Sequence, residues 1–245
     1  MDLKNATVVI ADDEAILLEI YTEWLEREGC RVLTAQNGSL ALDLIKGTHV
    51  DLVVSDIRMP VMDGLSLVRH VREGHSDIPK MIFVTGYADV DNRECYGLGV
   101  EAKIQKPMRR QEFVSVMKRC LKDRNELWQQ PDEREPTNVL TSTFDSLSSA
   151  IEQGLVGFGR GGFCIHTKLE AKEDENVGIG LKFGGDPASF SGQGIIRWVA
   201  RHEQLVGVEI SYVRDADRTW VVEVARQNVT NSFIPRASQP RIGES

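Results

Sequence analysis

A chain of 245 residues with 27% charged and 41% hydrophobic side chains, 8 prolines and 21 glycines has a globular composition, with room for two domains. This excludes collagen-like repeats, wholesale disorder and a disulfide scaffold, and no uncharged apolar run approaches the ~18–20 residues that span a bilayer. The net charge of −8 is unevenly spread, with −3 on residues 1–122, −4 on residues 123–145 and −1 on residues 146–245. No segment therefore carries the basic excess of a duplex-binding module.

Met1-Asp2-Leu3-Lys4-Asn5 lacks the basic start and apolar stretch of a secretory signal. Thr7-Val8-Val9-Ile10 is β-branched and short, which predicts a buried strand. Leu17, Ile20, Tyr21, Trp24 and Leu25 then fall on one helical face, and Gly29 is placed to stop that helix. Arg31–Ala35 predicts a second strand and Ser39–Lys46 a second helix ending at Gly47. Leu52-Val53-Val54 and Met81-Ile82-Phe83-Val84 are again uninterrupted apolar runs, and Val100–Ile104 is a weaker fifth. The last helix of this half carries Phe113, Val114, Met117, Cys120 and Leu121 on one stripe. Five strands alternating with helices predict βαβ units, hence a doubly wound parallel sheet covered on both faces and ending near residue 122. In such a sheet, chemistry belongs beyond the carboxyl ends of the strands.

Residues 123–145 change character. Gln129-Gln130-Pro131-Asp132-Glu133-Arg134-Glu135-Pro136 is polar, acidic and interrupted by proline, which predicts a linker, with the preceding helix running on to about Trp128. Beyond it, Phe163–Ile165, Val177–Phe183, Gly194–Ala200 and Leu205–Ser211 alternate with Gly-rich turns and predict a small antiparallel sheet or barrel over residues 146–228. Asp217–Gln227 suits a closing helix, and residues 229–245 a loose tail. Phe144, Leu147, Ile151 and Leu155 share helical spacing, as a docking helix or as a cover for the barrel's own core. The cysteines Cys30, Cys95, Cys120 and Cys164 lack CxxC spacing and read as reduced core thiols of a cytoplasmic protein.

The polar residues that end the predicted strands form a set: Asp12-Asp13 after the first, Asp56 after the third, Thr85 at the fourth and Lys106-Pro107 after the fifth. Alone, each is an ordinary cap, turn or surface residue. Together, three convergent carboxylates repel one another and raise their own pKa values unless a cation is bound. Mg2+, a hard ion satisfied by one or two carboxylates, a carbonyl and waters, suits them. A carboxylate can also serve as an aspartyl-phosphate nucleophile, with transfer governed by positioning and charge neutralisation. Lys106 would then cover one side of the phosphoryl group and the Thr85 hydroxyl a further oxygen.

Residues 1–122 resemble the receiver domain of two-component response regulators through Asp12-Asp13, Asp56-Ile57-Arg58-Met59-Pro60, Met62-Asp63-Gly64, Thr85-Gly86-Tyr87 and Lys106-Pro107. The resemblance implies a flavodoxin-like fold with strand order 2-1-3-4-5. It makes Asp56 the acceptor of phosphate from a sensor histidine kinase. It implies Mg2+ on Asp13, Asp56 and the Arg58 carbonyl, with Asp12 acting through water, and a cis Lys106–Pro107 bond. One position departs from the pattern: Lys103 stands where the family carries the aromatic ring that turns inward on phosphorylation. Readout is then expected through a different surface, or through Tyr87 and the Lys103 charge.

Residues 154–212 resemble a PilZ domain, a small β-barrel known as a cyclic di-GMP receptor. The resemblance rests on Gly157–Ile165, Gly192–Val199 and Leu205–Ile210. The ligand motifs are degenerate. No arginines four apart occur between 109 and 160, and the second motif is reduced to Gly157, Gly159 and Gly162, with Arg160 as the nearby cation. The glycines could form an anion-binding turn or simply tight corners. Cyclic di-GMP binding is therefore expected to be weak or absent, and the barrel is expected to work through an unidentified downstream protein target, with a homodimer left open. Neither DNA binding nor membrane insertion is expected. The alternative is a cyclic di-GMP receptor that uses other residues. His166 and His202 lack nucleophile or metal spacing, so a catalytic barrel is not expected, nor any chemistry beyond self-phosphorylation and self-dephosphorylation.

Overall fold

The computed structural model describes residues 3–73, 77–86, 90–184, 189–227 and 231–237. It divides into two compact units, 1–123 and 124–245. Among the described residues no helix is long and apolar enough to cross a membrane.

The first unit contains β1 (Thr7–Ala11), α1 (Ala15–Glu26), β2 (Arg31–Ala35), α2 (Gly38–Gly47), β3 (Leu52–Ser55), α3 (Gly64–Arg72), β4 (Lys80–Thr85), α4 (Asn92–Gly97), β5 (Val100–Gln105) and α5 (Arg110–Leu121). Its sheet runs β2-β1-β3-β4-β5, and every pairing is parallel. Side chains alternate between the faces of a strand, so a sheet covered on both sides needs apolar residues at every position. Val8, Ile10, Leu52, Val54, Ile82 and Val84 pack on one face with Leu18 and Leu25 of α1 and Phe113 and Met117 of α5. Val9, Val53, Met81 and Phe83 pack on the other with Ala41 and Leu42 of α2 and Leu67 and Val68 of α3. The uninterrupted apolar runs follow directly from this sandwich.

The second unit contains α6 (Arg124–Leu127), β6 (Asn138–Phe144), α7 (Leu147–Glu152), β7 (Val156–Phe158), β8 (Gly162–His166), β9 (Asn176–Phe183), β10 (Ser189–Ala200), β11 (Leu205–Val213) and α8 (Asp215–Gln227). One six-stranded sheet, β6-β9-β10-β11-β8-β7, holds it together. Most pairs are antiparallel, as expected, but β6 runs parallel to β9. Trp128, Leu140, Phe163, Phe190, Val208 and Val221 belong to its core.

Three expectations need correction here. Residues 123–145 are not a linker. Trp128 is fully buried, its carbonyl accepts from the Val213 N–H at 3.0 Å, and β6 pairs with β9 over seven residues, Asn138 to Phe144. The acidic, proline-bearing segment between them is a surface connection inside the second unit. The helix of the first unit stops at Leu121, and α6 starts anew at Arg124. The predicted helix over Phe144–Leu155 is shorter: Phe144 closes β6 and stacks on Phe183 with ring centroids 5.4 Å apart. Leu147 and Ile151, both on α7, pack against the unit's own core.

The tail expected to be loose is anchored over 231–237. Phe233 and Ile234 are buried, because the apolar pair has a groove to fill. Residues 238–245 lie outside the described residues, as does Tyr87.

Candidate functional site

In the first sheet the carboxyl ends of β1, β3, β4 and β5 are neighbours, so the residue following each strand emerges on one edge. Asp12 follows β1 and is 1% exposed, Asp56 follows β3 and is 6% exposed, and Thr85 ends β4 fully buried. Lys106 follows β5, its N–H donating to the Thr85 carbonyl at 2.9 Å. The Lys106–Pro107 bond is cis.

Ligand oxygens of Asp12, Asp13 and Asp56 all lie within 4.8 Å of one another. The Lys106 ammonium donates to Asp12 Oδ2 and Asp56 Oδ2, each at 2.7 Å, with Glu14 Oε1 farther off at 3.9 Å. Asp12 Oδ1 accepts from the Glu14 N–H at 3.0 Å. Asp56 Oδ1 accepts from the N–H groups of Ile57 and Arg58, at 2.5 and 3.3 Å. Each inner carboxylate is therefore fixed by its own following turn and shares one cation with the other. Asp13 stays exposed on the rim.

Burial raises the Asp12 carboxyl above its ordinary value, more than the hydrogen bonds from Lys106 and Glu14 lower it. Burial alone would lower Lys106, but hydrogen bonds to Asp12 and then Asp56 outweigh it and raise the amine to about 12. One lysine facing three carboxylates leaves an excess of negative charge and of hard oxygen donors. That donor set fits a divalent hard cation.

The predicted residues Asp12, Asp13, Asp56 and Lys106 are thus brought together, with Thr85 beside them on the next strand end and the Arg58 N–H on the Asp56 carboxylate. The sequence marks Gly64 only as part of a motif and leaves its steric role, and the part played by Glu14, unstated. Gly64 N–H donates to the Ile57 carbonyl at 2.8 Å, and a Cβ on Gly64 would stand 2.3 Å from the Asp56 carbonyl oxygen. This glycine lets α3 begin against the turn that follows Asp56. Glu14 contributes its N–H to Asp12, a backbone role that side-chain reasoning does not register.

Lys103 also has a place in this unit. Its ammonium donates to the Val90 carbonyl at 2.8 Å and to Asn92 Oδ1 at 3.2 Å, tying β5 to the entry of α4.

In the second unit the glycines Gly157, Gly159 and Gly162 surround a tight turn. The N–H of Gly159 donates to the Gly162 carbonyl at 2.7 Å, that of Arg160 to the Ser232 carbonyl at 3.1 Å and that of Gly161 to the Phe233 carbonyl at 3.0 Å. The Arg160 guanidinium reaches the Asn231 carbonyl, with Nη2 at 3.2 Å. A Cβ on Gly161 would meet the Phe233 ring at 2.0 Å, and one on Gly159 would meet the Phe233 carbonyl oxygen at 2.5 Å. The donors that an anion-binding turn would offer are thus bonded to the chain's own carbonyls, and the glycines make room for Phe233.

A doubly wound parallel sheet, with three carboxylates and a lysine at adjacent strand ends, defines a class of α/β domain with an acidic strand-end site suited to a hard divalent cation. Residues 8–118 match the family model described as response regulator receiver domain, so this segment is a receiver domain of two-component signalling. The response regulator GtcR of Aneurinibacillus migulanus is 33% identical over 130 residues, 53% of this chain and 53% of that protein. The sensor kinase CckA of Brucella abortus is 36% identical over 122 residues, 48% of this chain and 13% of that protein. The structure of TrrA from Thermotoga maritima, in complex with Mg(2+)-BeF, is 28% identical and covers 47% of this chain and 99% of its own, with a TM-score of 0.43. The chain spans about half the length of the first of these curated relatives and far less of the second.

Proposed function

We propose that this chain is a response regulator phosphorylated on Asp56 by a sensor histidine kinase. The observation that carries the reading is the Lys106 ammonium, bonded at 2.7 Å to both Asp12 and Asp56 at the ends of adjacent strands. An Asp56 carboxylate oxygen attacks the phosphorus of a phosphohistidine. The new O–P bond forms as the P–N bond breaks, and the imidazole leaves and takes up a proton. The Ile57 and Arg58 N–H groups orient the nucleophile, Lys106 neutralises charge on the transferred group, and the Thr85 hydroxyl is the donor for a further oxygen. Asp12, Asp13 and Asp56, with the Arg58 carbonyl, are the residues to hold Mg2+, which supplies charge neutralisation when bound.

The second unit is read as an interaction module of PilZ-like type that carries the signal to a downstream protein. Two things support weak or absent cyclic di-GMP binding: the missing arginine pair, and the engagement of the Arg160 and Gly161 N–H groups by Ser232 and Phe233. The Lys103 tie to α4 is where a change at the site would be passed on, in place of a rotating ring.

Incubation of the full chain with Mg2+ and acetyl phosphate, followed by intact-mass analysis, tests the chemistry. One phosphoryl group is expected on the native chain, none on Asp56→Asn, and none on the native chain in excess chelator. Equal labelling of Asp56→Asn would remove the assignment. For the second unit, calorimetry with cyclic di-GMP is expected to show no sub-micromolar binding, and a clear isotherm in that range would restore the receptor reading.

A further inference from the structure

Lys106 can neutralise charge at the site only if the turn that carries it is held in place. A lysine ammonium rides on a long, flexible stem, yet this one stands 2.7 Å from both Asp12 Oδ2 and Asp56 Oδ2. At the start of the turn, the Lys106 N–H is bonded to the Thr85 carbonyl. At its far end Arg109 opens α5 and lends that helix no side-chain cap. Met108 lies between the two and packs against the core of the first unit.

Tyr21 of α1 reaches Met108 from inside the fold. It is 3% exposed, and its hydroxyl donates to Met108 Sδ at 3.8 Å. Its ring stacks on Phe113 of α5, with centroids 5.1 Å and planes 17° apart, and Trp24 closes against each of these rings at 5.6 Å. Burial pushes the phenol up to about 12, and the charges of Lys106, Asp12, Asp56 and Glu14 act on it too. The hydroxyl is therefore near enough to the site to feel its charges. Packing alone does not account for a tyrosine here. Phenylalanine would keep the stack and avoid burying a hydroxyl on a thioether, which is a weak acceptor.

We propose that Tyr21 is a positioning residue for phosphoryl transfer, which holds the Lys106–Arg109 turn through Met108 and so keeps the Lys106 ammonium on the transferring group. This role rests on the receiver reading of Asp56 and adds α1 to the elements that build its site. Tyr21 does not touch the reacting atoms. The aromatic stack fixes its ring between α1 and α5, its hydroxyl fixes the Met108 sulfur, and Lys106 stands two residues before Met108. A displaced ammonium neutralises less of the charge that develops in the transition state, where a misplacement of about 1 Å can cost on the order of a hundredfold in rate. The Tyr21 hydroxyl and the Met108 sulfur act as one unit, so removing either has the effect of removing both.

Labelling of the full chain with Mg2+ and a series of acetyl phosphate concentrations, followed over time by intact mass, separates the limiting rate from the half-saturating concentration. Tyr21→Phe is expected to lower the limiting rate roughly three- to tenfold, the worth of one hydrogen bond. The half-saturating concentration and the urea midpoint of the first unit should not change. Met108→Leu, which conserves volume, is expected to show the same loss, and the double variant no more than either single one. A native limiting rate in Tyr21→Phe overturns the proposal. So does a lowered rate that comes with a lowered urea midpoint, which would make Tyr21 a packing residue, and so do losses that multiply in the double variant. A native chain that takes up no phosphoryl group removes the receiver reading and the role of Tyr21 with it. Native labelling beside an unimpaired Tyr21→Phe removes the role of Tyr21 alone.

Discussion

Asp12 is the more buried of the two inner carboxylates and carries the cost of the site. Burial is the first cause of its raised pKa, and the bonds from Lys106 and the Glu14 N–H only partly offset it. The unfolded chain ionises this carboxyl at its ordinary value of 3.8, before the folded chain does. Ionisation therefore erodes stability as pH rises from 3.8 to the raised folded value, above which the loss is complete and constant. The Lys106 contribution runs the other way. It is complete below the ordinary 10.5 and lost as pH rises through about 12, so it is constant across the neutral range. Asp12→Asn is accordingly expected to stabilise the metal-free chain at neutral pH by on the order of 1 kcal/mol. The gain should vanish below the ordinary aspartate range. Urea unfolding with chelator across that range checks the sign, and a variant less stable than the native chain at neutral pH would contradict it. The same variant should gain less stability from added Mg2+, because a ligand stabilises the fold through its affinity for the folded state.

At the level of elements, the clearest coupling is between the Gly159–Gly162 turn and the segment Asn231–Arg236. Phe233 is 1% exposed, sits where Gly161 leaves space for its ring, and has the Arg124 guanidinium 4.9 Å from its centroid. Phe233→Ala empties that space and removes the ring beneath Arg124. It is expected to cost the second unit roughly 3–5 kcal/mol. Trp128, Trp198 and Trp220 report that unit by fluorescence, while Trp24 reports the first. A fall in the midpoint of the first unit as large as that of the second would show the effect to be general rather than local. What was legible in the sequence follows the same division. The five strands of the first unit were readable because a parallel sheet buries both faces and so repeats one unbroken apolar signal. The site was readable because adjacent strand ends converge by topology. β6 was hidden because an edge strand half exposed to water spells Asn-Val-Leu-Thr-Ser-Thr-Phe, too polar to stand out beside an acidic run with two prolines. The Phe233-Ile234 anchor was hidden because two apolar residues carry no period, and its groove is made of glycines far away in the chain.

For the molecule as a whole, the boundary between units decides which fragments fold. Composition places the second domain from residue 146, after the acidic run, whereas the contacts place the division between Asp123 and Arg124. Starting at 146 would remove the fully buried Trp128, the bond from the Val213 N–H to its carbonyl, and the whole of β6 with its seven-residue ladder to β9. Leu140 would go as well, leaving β9 as a new edge over core residues that include Ile179 and Leu181. Loss of a large buried aromatic alone costs roughly 3–5 kcal/mol, against a total of about 5–15 kcal/mol for a typical domain, and the lost strand adds to that. A fragment of residues 124–245 is expected to unfold cooperatively in urea, whereas one of residues 146–245 is expected to show no cooperative transition and to bind a hydrophobic dye. Residues 1–123, holding the entire carboxylate and lysine site, are expected to accept one phosphoryl group from acetyl phosphate with Mg2+, as the full chain does. A cooperative transition in the 146–245 fragment would show that the acidic segment and β6 are appended to the second unit rather than built into it.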